Sequence, residues 1–212
     1  MSIQTSLIIN TFCRPRLLYW GLWSLTKQKL PGGLEVIIIN DGLLDETEEI
    51  CKSFAHKLNI RYYFTGQRNL ELEGRTRWRI PGFGINYGVK EAQGEIIILS
   101  CAEMFHISNA NIVFLVEGIR ENSKLLGIPY LAKDDKDGSF LAQLEKHDGT
   151  YEQNHVLQCK DLNSELPFVL SLHKKEFMEI GGYDEDFWGI AFDDNDLMDR
   201  LRLNGCRFVR TG

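Results

Sequence analysis

Short, almost uninterrupted apolar runs alternate with helical sequence patterns along the first half of the chain. The clearest runs are VIII at residues 36–39 and IIIL at 96–99, and leucines at helical spacing occupy residues 14–28. Strands that are apolar on both faces are typical of parallel sheets covered by helices on both sides. Parallel neighbours also require crossover connections, which helices usually supply. We therefore predict an α/β fold with a mostly parallel central sheet.

The predicted elements follow the order expected of repeated strand–helix–strand units. Strands are predicted at residues 6–12, 35–41, 60–64, 95–100, 124–130, 167–172 and 206–210. Helices are predicted at residues 14–28, 45–58, 81–92, 109–121, 174–180 and 193–203. The segment between residues 132 and 164 is polar and weakly patterned. We expect it to form a less regular lobe beside the sheet.

The charge balance and the cysteines exclude several classes of function. The 212 residues carry 24 Lys+Arg and 30 Asp+Glu, a formal net charge of −6. General binding to nucleic acid or to an anionic membrane needs clustered basic residues, so neither is expected. No apolar run approaches the roughly 18 residues that span a bilayer, and no signal peptide is recognisable. Five widely spaced cysteines form no zinc or disulfide pattern, which favours a cytoplasmic location.

Polar and acidic residues follow three of the predicted strands, at the edge where open α/β sheets bind ligands. The first strand ends in Asn-Thr-Phe (residues 10–12), the second in Asn-Asp-Gly (40–42) and the fourth in Ser-Cys-Ala-Glu (100–103). One Asp-Gly pair after a strand is usually only a turn. Acids at two such ends predict a ligand site that contains Asp41 and Glu103. His106, which follows closely, is expected on the surface of a loop, with a place in the site as the alternative.

Two other segments have competing interpretations. The glycines of GFGINYG (residues 82–88) resemble a dinucleotide-binding pattern, but that pattern belongs between the first strand and its helix. The first turn here is TFCRPR and contains no glycine, so a dinucleotide oxidoreductase is not expected. Arg75, Arg77 and Arg79 form a basic island in an acidic chain. They are either a solvated loop or a group that captures an anion.

The segment at residues 181–196 mixes acids with aromatic side chains. The simple interpretation is an acidic loop that leads into a helix N-terminus, where carboxylates are stabilised, and Asp193 could do only that. Tyr183, Trp188 and Phe192 lie among the acids, however. Aromatic faces beside carboxylates suit a sugar site, because the rings stack on the sugar and one carboxylate can act as a base.

In order and spacing, four segments resemble family 2, A-type nucleotide-sugar glycosyltransferases. They are SLIINTFCRPRLL, VIIINDGLLDET, PGFGINYGVKEAQGEIIILSCAE and GGYDEDFWGIAFDDNDLMDRLRLNG, and they cover nearly the whole chain. The resemblance implies a Rossmann-like A-type fold and one domain over residues 1–212. Residues 1–130 would form the nucleotide-sugar-binding half and 131–212 the acceptor and catalytic half. Many relatives place a metal-binding histidine beyond the final strand, so either that ligand is absent here or the chain is a piece of a longer protein with further domains. The end of the chain and the Cys-Ala-Glu motif also resemble the first domain of a multidomain viral glycosyltransferase, which would act in the host cytoplasm.

The resemblance also implies which residues bind the donor, expected to be a UDP-sugar. Asp41 would accept a hydrogen bond from the base, Arg75 would pack against the uracil, and Glu103 would hold a divalent metal, Mn²⁺ or Mg²⁺, on the diphosphate. The full set of implied nucleotide contacts is Thr11, Phe12, Arg14, Asp41, Arg75, Ser100, Cys101 and Ala102.

On the acceptor side, the resemblance implies an inverting single displacement onto a hydroxyl of a glycan or glycoprotein. Asp194 aligns with the catalytic base, and Asp193 with the acidic neighbour that usually binds the acceptor. Trp188, Tyr183 and Phe192 are the implied aromatic contacts to the acceptor.

Two departures from the family pattern weaken parts of this expectation. The metal motif reads Cys101-Ala102-Glu103, so its first carboxylate is missing, and Ile85 stands where an arginine often precedes the Asn-x-Gly element. Mn²⁺ and Mg²⁺ prefer oxygen ligands, so metal affinity without nucleotide should be weak. One alternative is a degenerate domain that only binds nucleotide-sugar or glycan. Another is a nucleotidyltransferase, which would need a glycine-rich loop that TFCRPR does not supply.

Overall fold

The computed structural model of the chain describes residues 4–66, 80–134, 137–162, 165–187, 189 and 192–211. Its strands are β1 (Thr5–Thr11), β2 (Leu34–Asn40), β3 (Ile60–Phe64), β4 (Ile96–Cys101), β5 (Leu125–Ile128), β6 (Leu131–Lys133), β7 (Lys160–Leu162), β8 (Val169–His173) and β9 (Arg207–Arg210). Its helices are α1 (Pro15–Leu25), α2 (Thr47–Phe54), α3 (Gly82–Glu91), α4 (Asn111–Glu117), α5 (Ser139–Lys146), α6 (Gln153–Gln158), α7 (Lys174–Glu179) and α8 (Asp193–Leu203).

A seven-stranded sheet in the order β3-β2-β1-β4-β8-β5-β9 forms the centre of the fold. Strands β3, β2, β1 and β4 are parallel to one another, and β9 is parallel to β5. Strand β8 runs antiparallel to both of its neighbours. The prediction of a mostly parallel α/β sheet is therefore confirmed, with β8 as the one strand of opposite direction in this sheet.

Both faces of the sheet are covered, which explains the uninterrupted apolar strands. Successive strand residues point to opposite sides, so Ile8, Ile37 and Ile39 pack with α3, α7 and α8, while Leu7, Val36 and Ile38 pack with α1, α2 and α4. All six of these side chains are at most 1% exposed. Removing this much apolar surface from water is the main favourable contribution to the stability of the sheet.

The second half of the chain is more regular than the sequence suggests. Helices α5 and α6 and the antiparallel pair β6–β7 all lie between residues 131 and 162, where we expected an irregular lobe. The Asp134 carboxylate accepts hydrogen bonds from the backbone N–H groups of Phe140 and Leu141 and so caps α5. Phe140 and Leu144 then pack with Trp20 of α1. Tertiary contacts and one capping residue stabilise a helix whose own pattern is short and weak.

Helix α3 lies unusually close to the sheet. A Cβ atom on Gly88 would lie 2.6 Å from Cγ2 of Ile8, and a Cβ on Gly84 would overlap the side chain of Asn10. The glycines of GFGINYG therefore allow close helix–strand packing. None of the helices within the described residues is long and apolar enough to cross a membrane.

Candidate active site

The carboxyl ends of β1, β2 and β4 bring the predicted donor residues to one edge of the sheet. Thr11 pairs with Asn40 across β1 and β2, and Asn10 pairs with Cys101 across β1 and β4. The Asp41 backbone N–H donates to the Thr11 carbonyl oxygen at 2.9 Å, which extends the parallel pairing by one residue. The ends of these strands and the residues that follow them therefore lie side by side at one edge of the sheet.

Thr11 and Asp41 form the buried floor of this edge. Thr11 is 2% exposed and Asp41 is fully buried. The Thr65 hydroxyl donates to Asp41 Oδ1 at 2.8 Å, so this carboxylate has a fixed orientation. The Thr11 Oγ1 atom is buried and has no hydrogen-bond partner among the described residues. A buried hydroxyl without a partner is costly, and a ligand that supplies one would be favoured there.

Arg14 and Glu103 form an ion pair at the same edge. Arg14 lies directly before α1, and its side chain is 52% exposed; that of Glu103 is 30% exposed. Ser100 and Ala102, the two neighbours of Cys101 in the sequence, are buried, and Phe12 is half-buried. The edge therefore exposes one cation and one carboxylate above a buried floor.

Cys101 is a thiol and not a thiolate. Burial raises its pKa to about 12, although Arg14 acts in the opposite direction. A protonated thiol is a poor ligand for Mn²⁺ or Mg²⁺. Within the described residues, no group of three or more His, Cys, Asp and Glu side chains could hold a metal ion. In the part of the chain that the structure describes, Glu103 is the one carboxylate of the predicted metal motif, and a metal there would need diphosphate oxygens or water as its other ligands.

Asp193 and Asp194 begin helix α8, where the helix dipole favours negative charge. Asp193 is 8% exposed, and Asp194 is half-buried. Burial raises the pKa of both carboxyl groups. Asp193 also raises the pKa of Asp194, whereas the hydroxyl of Tyr183, which donates to Asp194 Oδ1 at 2.8 Å, lowers it.

Electrostatic coupling shows that the acidic helix lies next to the strand ends. The charge of Asp194 raises the pKa of Cys101, and Arg14 lowers it. The pKa of Tyr183 is raised by burial, and also by Asp194, Asp193 and Cys101. Arg14 and Asp194, which are distant in sequence, therefore both lie close enough to Cys101 to shift its pKa.

The structure changes the expected role of Tyr183. Its side chain is 3% exposed and packs in the core with Phe177, so its ring is not available to stack on a sugar. Phe192, in contrast, is 70% exposed directly before Asp193. Its φ of 78° is left-handed, which is strained for a residue with a Cβ. Arg75 and Trp188 lie outside the described residues, as do Arg77 and Arg79.

The expectation for His106 was wrong. This residue is only 9% exposed, and burial lowers its pKa to about 4. Its backbone N–H donates to the Ser24 hydroxyl of α1 at 3.0 Å, so the loop after Glu103 is anchored to that helix.

Sequence reasoning also missed Asn86, which connects α3 to the loop before α8. Its side-chain oxygen accepts from the Tyr183 backbone N–H, and its side-chain nitrogen donates to the Tyr183 carbonyl, both at 2.9 Å. The available signal was its place in the Asn-x-Gly element. That element resembles a family motif, but the sequence alone does not say what the asparagine contacts.

Comparisons with known proteins identify the family of the chain. Residues 6–163 match the family described as Glycosyl transferase family 2, and residues 161–212 match the N-terminal domain of galactosyltransferase. Because the first match covers most of the chain, the protein belongs to glycosyl transferase family 2.

Two curated relatives span nearly all of this chain. Validoxylamine A glucosyltransferase of Streptomyces hygroscopicus subsp. limoneus is 26% identical over 94% of this chain and 48% of its own length. Chondroitin synthase of Escherichia coli is 23% identical over 96% of this chain and 33% of its own length. The chain thus spans half or less of the length of these relatives.

Solved structures show the same fold. TarS 1-349 of S. aureus in complex with UDP has a TM-score of 0.68 at 18% identity and covers 98% of this chain and 57% of its own. The mannosyltransferase PcManGT of Pyrobaculum calidifontis in complex with GDP-Man and Mn²⁺ has a TM-score of 0.65 at 14% identity, over 99% and 55%. The central sheet and its helices are therefore those of the A-type glycosyltransferase fold.

Proposed function

We propose that this domain transfers a sugar from a nucleoside-diphosphate sugar, UDP-linked, to a hydroxyl of a glycan or glycoprotein acceptor with inversion at the anomeric carbon. The observation that carries the proposal is the position of Asp194. Its carboxylate lies at the N-terminus of α8, bonded to Tyr183 and electrostatically coupled to Cys101 at the end of β4. A base at this place would lie near the edge where a donor diphosphate is proposed to bind.

The residues proposed to bind the donor lie at and after the ends of the strands. The buried hydroxyl of Thr11, which has no partner among the residues that the structure describes, and the oriented carboxylate of Asp41 would hydrogen-bond the nucleoside. Arg14 would contact the diphosphate, because guanidinium groups pair with phosphate oxygens in fork geometry. Phe12, Ser100, Cys101 and Ala102 would line the same edge, and Arg75 would pack on the uracil. The UDP complex of TarS, a structure of the same fold, is the support for a uridine nucleotide.

Glu103 is the proposed protein ligand for Mn²⁺ or Mg²⁺. Its carboxylate is paired with Arg14, so donor binding would have to redistribute that pair between metal and phosphate. When bound, the metal would neutralise charge that develops on the leaving diphosphate. The Mn²⁺ complex of the mannosyltransferase of the same fold supports this proposal.

Asp194 would act as the general base. The acceptor oxygen would form a bond to the anomeric carbon as the bond from that carbon to the diphosphate oxygen breaks. The hydroxyl proton would pass to Asp194, and the nucleoside diphosphate would leave with the electron pair of the broken bond. General-base assistance of this kind contributes roughly 10²–10⁴-fold to the rate. Because only ionised Asp194 can accept the proton, activity should fall as the pH drops through its raised pKa.

Residues around Asp194 would bind the acceptor. Phe192 presents an exposed ring beside the two acids, and Trp188 is proposed to line the same loop. Asp193 would accept a hydrogen bond from an acceptor hydroxyl. Strain at Phe192 supports a functional position, since such conformations concentrate at binding and catalytic sites.

A second candidate function is a domain that binds nucleotide-sugar or glycan without transfer. The single carboxylate of the Cys101-Ala102-Glu103 motif favours it. The retained Asp194 and its hydrogen bond to Tyr183 argue against it, because a binding module needs no oriented base.

One screen separates the two candidates. The purified chain is titrated calorimetrically with UDP, GDP and their sugar conjugates in the presence and absence of Mn²⁺, and donor hydrolysis and transfer to oligosaccharides are then measured. Transferase function predicts donor turnover that Mn²⁺ increases. Nucleotide-sugar binding without turnover across all donors and acceptors would support the binding-only function, and no binding at all would contradict both.

A further inference from the structure

Tyr183 and Asp194 are joined by the best-defined polar contact in the candidate site. The Tyr183 hydroxyl donates to Asp194 Oδ1 at 2.8 Å, from a side chain that is 3% exposed. Among the described residues, Tyr183 is the one side chain that donates a hydrogen bond to the Asp194 carboxylate. One carboxylate oxygen, Oδ1, is therefore held by the Tyr183 hydroxyl.

Helix α3 holds Tyr183 in place from two sides. The Asn86 side chain bonds both the backbone N–H and the backbone carbonyl of Tyr183, each at 2.9 Å. The ring of Tyr183 lies where Gly82 would otherwise carry its side chain, since a Cβ there would be 2.5 Å from Tyr183 Cγ. Gly182 has a φ of 73°, and a Cβ on it would lie 2.5 Å from Asn86 Oδ1. Asn86 therefore fixes the backbone of Tyr183 by hydrogen bonds, and Gly82 leaves the space that its ring fills.

We propose that Tyr183 is a positioning residue that aims the Asp194 carboxylate at the acceptor hydroxyl, and that Gly82 and Asn86 of α3 hold Tyr183 for this purpose. The proposal rests on the function proposed above, in which Asp194 is the base. Helix α3, which carries the Asn-x-Gly element, would then hold Tyr183 as well as pack on the sheet. The donor half of the chain would thereby position the catalytic base in the other half.

The groups around Asp194 determine its pKa, and the hydrogen bond from Tyr183 is one of them. The groups that face it are Tyr183, Asp193 on the same helix turn, and Cys101 from β4. Burial raises the pKa of Asp194, and the Tyr183 hydrogen bond lowers it. Burial also raises the pKa of Tyr183 well above its ordinary value, so its hydroxyl stays protonated and always donates. Without the hydroxyl, the pKa of Asp194 should rise further.

The test compares Tyr183→Phe with a matched control, Tyr63→Phe. Tyr63 also donates its hydroxyl to a carboxylate, Glu91 Oε2 at 2.9 Å, but in a part-buried network with Arg61 that does not include Asp194. Phenylalanine keeps the ring packing at both sites. A hydrogen bond to a charged group is worth about 1.5–3 kcal/mol, so Tyr183→Phe should lower kcat at least about tenfold. The donor KM should be unchanged, and the acid limb of the kcat/KM profile should move to higher pH.

A double-mutant cycle separates this proposal from the base assignment. If Tyr183 acts through Asp194, Tyr183→Phe should cost nothing further when added to Asp194→Asn. The proposal is overturned if Tyr183→Phe keeps the kcat and pH profile of Tyr63→Phe, or if its effect is undiminished in the Asp194→Asn background. Full activity of Asp194→Asn alone would instead remove the base assignment on which the proposal rests.

Discussion

Two glycines on helix α3 allow the support of the base to be tested separately from helix packing. An alanine Cβ at Gly82 would lie 2.5 Å from Tyr183 Cγ and 2.6 Å from its Cβ and Cδ1. An alanine Cβ at Gly88 would lie 2.6 Å from Cγ2 of Ile8, in the core. Both substitutions cause a steric clash of similar size, and the clash at Gly82 alone reaches Tyr183.

The expected magnitudes follow from these distances. Carbon atoms pack at about 3.5–4.0 Å, so the Tyr183 ring must withdraw by about 1 Å from an alanine at position 82. Its hydroxyl, now 2.8 Å from Asp194 Oδ1, would then leave hydrogen-bonding distance. Overpacking costs about 1–3 kcal/mol, and replacing a helical glycine by alanine returns up to about 1 kcal/mol. Each variant should lose about 1 kcal/mol of stability, which lowers Tm by about 2–4 °C.

The assay compares thermal unfolding and steady-state transfer for both variants at a temperature where each is folded. Gly82→Ala should lose about tenfold in kcat, as Tyr183→Phe does, while Gly88→Ala keeps the kcat of the unmodified chain. Equal kcat values for the two variants, with similar losses of stability, would show that Tyr183 does not transmit the position of α3 to Asp194.

Two further predictions concern the metal and the buried histidine. Glu103→Ala should abolish the increase that Mn²⁺ causes in nucleotide affinity, and calorimetry that finds the increase intact would remove Glu103 as the metal ligand. His106 has an ordinary pKa of 6.5 and a folded-state pKa of about 4, so the unfolded chain binds its proton first as the pH falls. Stability should therefore drop between pH 6.5 and 4, by about 2 kcal/mol from pH 7 to 5 for this residue. Urea unfolding of His106→Gln should show a correspondingly smaller drop, and an unchanged pH dependence would contradict the assignment.

The parallel part of the fold was predictable because its strands carry a strong signal. Runs such as VIII and IIIL are apolar on both faces, and a covered sheet is the arrangement that buries both. The direction of β8 was not predictable, since its sequence FVLSL would suit either direction. Helix α5 was missed because its stability comes from the Asp134 cap and from contacts with Trp20, which are absent from its own sequence pattern.

The site was predictable where residues follow strands and not where it depends on tertiary contacts. Thr11, Asp41 and Glu103 lie at one edge because parallel strands end together. Tyr183 was expected beside a sugar because an aromatic residue among acids suggests stacking. Only the packing of α3 shows that this ring is buried and that its hydroxyl faces Asp194.

The central claim is that Asp194 is the base of a transfer reaction. It is tested most directly by comparing Asp194→Asn with Asp199→Asn, a surface position on the same helix whose side chain is 69% exposed. Asp194→Asn should bind the nucleotide as tightly as the unmodified chain and lose transfer by about 10²–10⁴-fold, with Asp199→Asn unaffected in both. Turnover by Asp194→Asn equal to that of Asp199→Asn would contradict the account.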